Sequence, residues 1–160
     1  MKISWLKIIP LLACLVIASA CNSRVKLGNL HVDVTGYQTL PSPNRAKLIL
    51  RYTNENIFPI AIAETEGKFY LKGTYIGKVE QKNPVGMPAV STVSRPAVLL
   101  IEKPELLQSL LADGAPTLSY ELKSTMRMEF DETKEKMKSY FSGQLDAANL
   151  RAAPVSETQR

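Results

Sequence analysis

The sequence predicts an all-β protein: an antiparallel β-sandwich of about seven strands with one short connecting helix. Several segments alternate apolar and polar residues with a period of two, turn residues separate them at short spacing, and a single segment has helical periodicity. The 160 residues are enough for one domain with a real core but hardly for two.

Strands are predicted through the first two thirds of the chain. The first alternates Leu30, Val32 and Val34 with polar residues, and the second covers 48–53. Apolar residues at 60–62 and 69–71 follow, and Gly67 is predicted to break the strand between them. Strands over 74–81 and 90–101 come next. Pro96 predicts a sheet edge or a bulge within the second of these.

The most regular strand is predicted over 118–130, where apolar residues share one face and only Ser124 interrupts them. A weaker strand covers 137–145. Between 104 and 114 a helix is predicted: Pro104 suits a first turn, four leucines form one stripe, and Gly114 suits a C-terminal cap. The domain therefore spans 30–146. Residues 147–160 lack periodicity and are predicted to form a flexible tail.

Cys21 follows a segment that resembles a bacterial lipoprotein signal. Lys2 and Lys7 precede an apolar run, and three small residues at 18–20 lead directly to the cysteine. The resemblance implies that 1–20 is removed, that the Cys21 thiol is acylated, and that 21–29 is a tether. One alternative is an uncleaved anchor, although the apolar run is shorter than the ~20 residues of a span. Another is an ordinary secretory signal that leaves a free thiol. Cys14 also fits the lipoprotein pattern but lies too close to Lys7.

Composition limits the classes of function. Without Lys2 and Lys7 the chain has 18 basic and 15 acidic side chains, so its formal charge falls from +5 to +3. The charges are scattered rather than clustered, which gives nucleic-acid binding little support. Because Cys14 lies in the predicted signal and Cys21 is the predicted lipid site, the body has no cysteine for a disulfide or a metal.

Candidate catalytic groups are few. His31 is the single histidine, so a zinc site or a serine–histidine–acid triad is not expected. Acids cluster at Glu64 and Glu66 and again at 129–132, where they could serve glycoside hydrolysis or hold calcium. Solvated strand ends explain them more simply. No cofactor or metal is predicted. Six aromatic residues could line a groove, but are better explained as core: Phe69, Tyr70, Tyr75, Tyr120, Tyr140 and Phe141.

The order of motifs over 31–146 resembles the late embryogenesis abundant type 2 family, also called the water-stress and hypersensitive-response (WHy) domain. The residues that carry the resemblance are a strand ending in Asn54-Glu55-Asn56, then Gly73 and Gly77, then Pro88, and a leucine-rich helix followed by Gly114. Two positions depart from the pattern. Glu55 stands where the family has proline, and Ser124 where it often has glycine.

The resemblance implies a fibronectin-III-like sandwich and a non-enzymatic role in desiccation, freezing or related stress. The leading hypothesis is therefore a lipid-anchored, periplasm-facing protein that protects partly unfolded clients. The alternatives are an envelope adaptor that binds one protein partner and, last, a hydrolase that uses an acid pair. Asn22, second after the predicted cleavage, favours the outer membrane over the inner.

Overall fold

The structure, a computed structural model, describes residues 30–130 and 133–151. Within these ranges the chain forms eight strands and two helices. The strands are β1 (Leu30–Thr39), β2 (Arg45–Asn54), β3 (Ile60–Leu71), β4 (Thr74–Gln81), β5 (Val85–Met87), β6 (Ser91–Ile101), β7 (Thr117–Phe130) and β8 (Thr133–Asp146). Helix α1 (Pro104–Ala112) lies between β6 and β7, and α2 (Ala147–Arg151) follows β8.

The strands form one antiparallel sheet in the order β1-β2-β6-β4-β3-β7-β8. β4 pairs with residues 65–71 of β3, and the short strand β5 pairs with residues 60–62 of the same strand. β5 is one strand more than the seven expected. The sheet curls until it is nearly closed like a barrel, so its two end strands, β1 and β8, approach each other. The all-β antiparallel prediction is therefore confirmed, as is the single helix that connects two strands.

The hydrophobic core fills the inside of the curled sheet, because strand alternation directs every second side chain inward. On β7, Leu118, Leu122 and Met126 are buried, as predicted. Lys123 and Arg127, on the opposite face of the strand, are exposed. Full burial of such a side chain stabilises a fold by about 1.5–3 kcal/mol. The largest fully buried side chains are those of Tyr52, Phe69, Leu48, Leu50, Ile62, Leu71, Ile76, Met87, Leu99, Leu118, Leu122 and Met126.

Two predictions about strand interruptions have different outcomes. Gly67 does not break β3: the strand continues through it and pairs with β4 and β7 on its two sides. A Cβ at Gly67 would lie 3.0 Å from Leu122 Cδ1, so the glycine allows close packing rather than a turn.

Pro96 lies where the sheet has an edge, as predicted. β6 pairs with β2 along its length but with β4 only over 98–101.

The chain after β8 differs from the predicted tail, since residues Ala147–Arg151 form α2. The Asp146 carboxylate accepts a hydrogen bond from Ala148 N at 2.8 Å, as an N-cap residue does. Ala147 and Leu150 are buried against the core. Residues 152–160 lie outside the described part. Neither described helix has the length and apolar character needed to cross a membrane.

Candidate functional site

The side chain of Asn54 organises the loops at one end of the sheet. Asn54 ends β2 and is 1% exposed. Its Nδ2 donates to the carbonyl oxygens of Phe58 at 3.0 Å and Pro88 at 2.8 Å. Its Oδ1 accepts from Asn56 N and from Asn56 Nδ2, each at 2.9 Å. All four hydrogen-bonding positions of the buried amide are thus satisfied.

These bonds hold the β2–β3 loop beside the loop that leads into β6. Val90 N donates to Asn56 O at 3.0 Å, and Ser91 Oγ donates to Pro88 O at 2.7 Å. The two loops together form the tip, residues 55–59 and 88–90. Since the family-motif residues Asn54, Asn56 and Pro88 lie in this one network, the structure brings together three of the six residues predicted from the motif.

The tip carries two apolar side chains that are almost fully in solvent. Ile57 is 88% exposed and Val90 is 72% exposed. Val90 also has a φ of 47°, in the left-handed region that a β-branched residue rarely adopts. Its main-chain bond to Asn56 holds it there. The tip therefore places an apolar residue outward at the cost of local backbone strain.

The three motif glycines lie elsewhere and serve the fold. Gly73, with φ 73°, forms the β3–β4 turn with Lys72. A Cβ on Gly77 would lie 2.0 Å from Leu100 O, so only glycine allows β4 this close to β6. Gly114 follows α1, in agreement with the predicted cap, and the Lys72 ammonium pairs with the neighbouring Asp113 carboxylate.

A second notable region is the seam, the gap between β1 and β8. Both strands begin at the tip end, so they run parallel to each other across it. Among the described residues, no backbone ladder joins them. Met137 and Phe141 of β8 are partly buried against the core beside this gap. The seam thus combines two strand edges with apolar side chains.

The side chain of Tyr120 closes part of the seam. Its hydroxyl, which comes from β7, accepts a hydrogen bond from Val34 N and donates one to Val34 O, each at 3.1 Å. The Tyr120 ring lies 6.1 Å from the ring of Phe141 and 5.9 Å from that of Phe69, centroid to centroid. Burial raises the pKa of the Tyr120 hydroxyl, so it stays protonated and can make both bonds.

The acidic side chains singled out in the sequence lie among bases. Glu64 and Glu66 line the same outer surface of the sheet. Glu64 Oε1 lies 2.7 Å from Arg127 Nε, and Glu129 Oε1 lies 3.5 Å from Lys134 Nζ. Basic residues surround the Glu64–Glu66 surface: Lys68, Lys78, Lys123, Arg127 and Lys136. An ion-paired acid on an open strand surface is best explained as part of a solvated charge network.

The remaining candidate groups are dispersed. His31 Nε2 lies 3.8 Å from Glu55 Oε2, and both side chains are about half exposed. Within the described residues, no three His, Cys, Asp or Glu side chains come close enough to hold a metal ion. Asp131, Glu132 and Cys21 lie outside the described part of the chain.

The six aromatic residues divide between the core and the surface. Phe69 and Tyr120 are buried, and Phe141 packs partly against them. Tyr70 and Tyr75 contact each other at 5.5 Å between centroids. Tyr140 is 60% exposed on the outer face, 5.7 Å from Lys123 Nζ. The explanation of these aromatics as core residues is therefore correct for half of them.

Comparison with known proteins shows likeness at the level of the fold. No protein-family model and no curated protein matches the chain. A solution structure named as a late embryogenesis abundant (LEA) protein has a TM-score of 0.51 and 10% identity, and covers 88% of this chain and 87% of its own. A solution structure from Arabidopsis thaliana has a TM-score of 0.49 and 16% identity, covering 82% of each chain. A crystal structure from Archaeoglobus fulgidus has 0.46 and 12%, covering 75% and 96%. The likeness to the LEA protein, at a TM-score of 0.51, shows an LEA-like fold.

Sequence reasoning did not find the two regions that the structure distinguishes. Ile57 is an ordinary loop residue in the sequence. Val90 was predicted to begin a strand, but it lies in the loop directly before β6. The available signal was their position beside motif residues, Ile57 after Asn56 and Val90 two residues after Pro88. Tyr120 was assigned to the inner face of its strand, but nothing in the sequence indicates that its hydroxyl reaches β1.

Proposed function

We propose that this chain is a lipid-anchored, non-enzymatic protein of a bacterial envelope that protects other proteins during desiccation, freezing or related stress. Its anchor is the acylated thiol of Cys21, and its domain faces the periplasm from the outer membrane. Its clients are partly unfolded proteins that bind along the seam. The observation that carries the proposal is the seam, where two strand edges lie beside apolar side chains.

A strand edge can bind an extended peptide through main-chain hydrogen bonds, without reading its sequence. β8 pairs with β7 along its whole length, and in the described residues its other edge faces only the gap to β1. Met137 and Phe141 supply apolar contacts on the inner side of that edge. Backbone binding combined with apolar contact suits a client that is unfolded and of no fixed sequence.

The charges of β8 keep such binding weak and reversible. Lys134, Lys136 and Lys138 are exposed on the outer face, near the tip end of the strand. Lysines near an edge strand oppose the edge-to-edge association of folded copies. Tyr120 bonds to Val34 and occupies part of the seam. The edge is therefore protected from permanent pairing, as a holding protein requires.

Two further observations support the stress role and the anchor. The LEA-like fold supports protection under stress, and the lipoprotein-like segment before Cys21 supports attachment to a membrane. Acyl chains contribute about 0.8 kcal/mol for each buried CH₂, so several chains give stable attachment. The ion pair of Glu64 with Arg127 supports a non-enzymatic role, because it is explained as part of a solvated charge network.

The test is protection of a freeze-labile model enzyme by the mature, acylated chain held in lipid vesicles. We expect the chain to slow aggregation over repeated freezing, and Phe141→Ser to lose most of this effect. Tyr140→Ser is the matched control, because Tyr140 is the neighbouring residue on the opposite face of β8. Thermal unfolding of both variants establishes that they are folded. Should Phe141→Ser fail to fold, Met137→Ser takes its place.

Two outcomes would contradict the proposal. A wild-type chain that leaves aggregation unchanged would exclude a protective function. Equal protection by both variants would exclude the seam as the surface that binds clients. Cross-linking in cells separates protection from the adaptor hypothesis. Many substoichiometric clients favour protection, whereas one stoichiometric partner favours an envelope adaptor.

A further inference from the structure

The apolar tip is a surface that the protective function does not use. Ile57 and Val90 are 33 positions apart in sequence, yet the bond from Val90 N to Asn56 O places their loops side by side. Both side chains are largely exposed, at 88% and 72%. The residues between and beside them are also uncharged: Phe58, Pro59, Pro88 and Ala89.

The backbone at Val90 indicates that this exposure is maintained against local preference. A β-branched residue at φ 47° is strained, and asparagine or glycine would adopt this conformation more easily. The Asn54 side chain holds both loops in place with a complete set of hydrogen bonds. Backbone strain is concentrated at functional sites, so an exposed, strained valine on a hydrogen-bonded loop marks a candidate binding surface.

The position of the tip relative to the chain's beginning identifies what it contacts. Leu30, the first residue of β1, pairs with Asn54, so the preceding chain leaves the domain at the tip end. Only the segment 22–29 separates Leu30 from Cys21. A chain of nine steps reaches at most about 30 Å even when fully extended. An acyl chain on Cys21 therefore holds the tip within about 30 Å of the lipid surface.

We propose that Ile57 and Val90 insert into the outer part of the lipid layer that holds Cys21, and so orient the domain on the membrane. This inference rests on the proposed lipid anchor. Two aliphatic side chains bind a lipid surface weakly by themselves, but the anchor makes their insertion an intramolecular step at high effective concentration. Polar side chains lie beside the two apolar ones, as a headgroup region requires: Glu55 Oε2 is 3.8 Å from His31 Nε2, and Glu129 Oε1 is 3.5 Å from Lys134 Nζ.

Such an orientation also affects access to the seam. β1 and β8 both begin at the tip end and run toward the opposite end. With the tip in the membrane, the seam extends away from the lipid surface into the aqueous compartment, where client proteins are. Tip insertion and client binding therefore use different surfaces and can occur together.

A single-tryptophan reporter tests the insertion. The one tryptophan of the chain, Trp5, lies in the predicted signal, so the mature protein has none. Ile57→Trp places a reporter on the tip, and Gln108→Trp places a control on exposed α1 at the opposite end. Both acylated chains are reconstituted in vesicles of phosphatidylethanolamine and phosphatidylglycerol that contain brominated lipid. We expect blue-shifted emission and several-fold stronger quenching for Ile57→Trp than for Gln108→Trp.

Val90→Asn, added to Ile57→Trp, is the second variant. Asparagine tolerates the left-handed backbone, so the fold is retained, but its polar side chain should reduce quenching of the tip reporter at least twofold.

The intact mass of the mature chain, measured first, separates the failure of the lipid anchor from the failure of tip insertion. A mature chain without acyl groups would overturn both. An acylated chain whose tip tryptophan is quenched no more than the control would overturn tip insertion alone. A tip reporter that responds to an unfolded enzyme and not to lipid would also overturn it, in favour of protein docking.

Discussion

The two ends of the curled sheet are completed by different interactions. At the helical end, α1 and α2 cover the core and bury Leu107, Ala147 and Leu150. At the tip end, one buried amide, that of Asn54, holds the loops through hydrogen bonds. Ile57 and Val90 are left in solvent there.

This difference shows how a loop can be ordered without burying its apolar side chains. A helix packs by burying an apolar stripe, so those side chains are no longer available for binding. A buried amide instead satisfies loop carbonyls and amides directly, and leaves the loop side chains free. The end held by polar bonds is therefore the end that can present an apolar surface to a partner.

The largest expected effect is at the helical end. Leu150→Ala should lower the free energy of unfolding by about 3 kcal/mol, because Leu150 is 2% exposed and its removal leaves a cavity. Urea unfolding measures the change. Asn149→Ala, on the exposed side of the same helix, is the control and should have little effect. An unchanged unfolding free energy for Leu150→Ala would mean that α2 does not contribute to the core.

The corresponding change at the tip is Asn54→Ala, which should lower the free energy of unfolding by about 2 kcal/mol. It removes four hydrogen bonds and leaves buried carbonyl groups without a partner. Hydrogen exchange should show faster opening of residues 55–59 and 88–90 than in the wild type. Asn83→Ala, at an exposed asparagine, serves as the control. Equal exchange in both variants would contradict the assigned role of Asn54.

Two buried tyrosines offer a finer comparison of the ends. Tyr52 lies near the tip, and its hydroxyl donates to Thr65 Oγ1 at 3.0 Å. Tyr37 lies beside Leu107 and Leu150, and its hydroxyl has no hydrogen-bond partner in the described residues. Tyr52→Phe should therefore lower the free energy of unfolding by about 1 kcal/mol, whereas Tyr37→Phe should leave it unchanged or raise it. A larger loss for Tyr37→Phe in urea unfolding would reverse this assignment.

The same tyrosines predict a loss of stability at alkaline pH. Burial raises the pKa of Tyr37 and that of Tyr52 from 10.0 to about 12. The unfolded chain then ionises before the folded one, so the stabilisation is complete below pH 10 and falls as the pH rises toward 12. Each Tyr→Phe variant should show a weaker pH dependence in this window. An unchanged slope would show that the buried phenols do not control alkaline unfolding.

The smallest expected effect is a gain in stability at the tip. Val90→Asn should raise the free energy of unfolding by about 0.5–1 kcal/mol, because asparagine adopts the left-handed backbone with less strain. Thermal unfolding measures the change, and Ala89→Asn on the same loop is the control. A loss of stability would mean that the Val90 side chain contributes packing that outweighs the strain.

Strand and helix positions were largely predictable because they depend on local patterns. The alternation over 118–130 produces one face of β7, and Pro104 with four leucines produces α1. The break at Gly67 was mispredicted, since a glycine can mark either a turn or a close approach of neighbouring strands. The start of α2 was missed because a five-residue helix carries too few residues for periodicity.

By itself, the sequence determined that the chain is all-β, which side chains form most of the core, and where turns occur, because period-two alternation and turn residues act over a few positions. It also contains the motif that precedes Cys21. The tertiary structure alone decided that Tyr120 reaches β1 and that two strand edges face each other across the seam. It also decided that Ile57 and Val90 lie together at the end where β1 begins. These features depend on contacts between residues far apart in the chain, and no local pattern encodes the curvature of the sheet that brings them together.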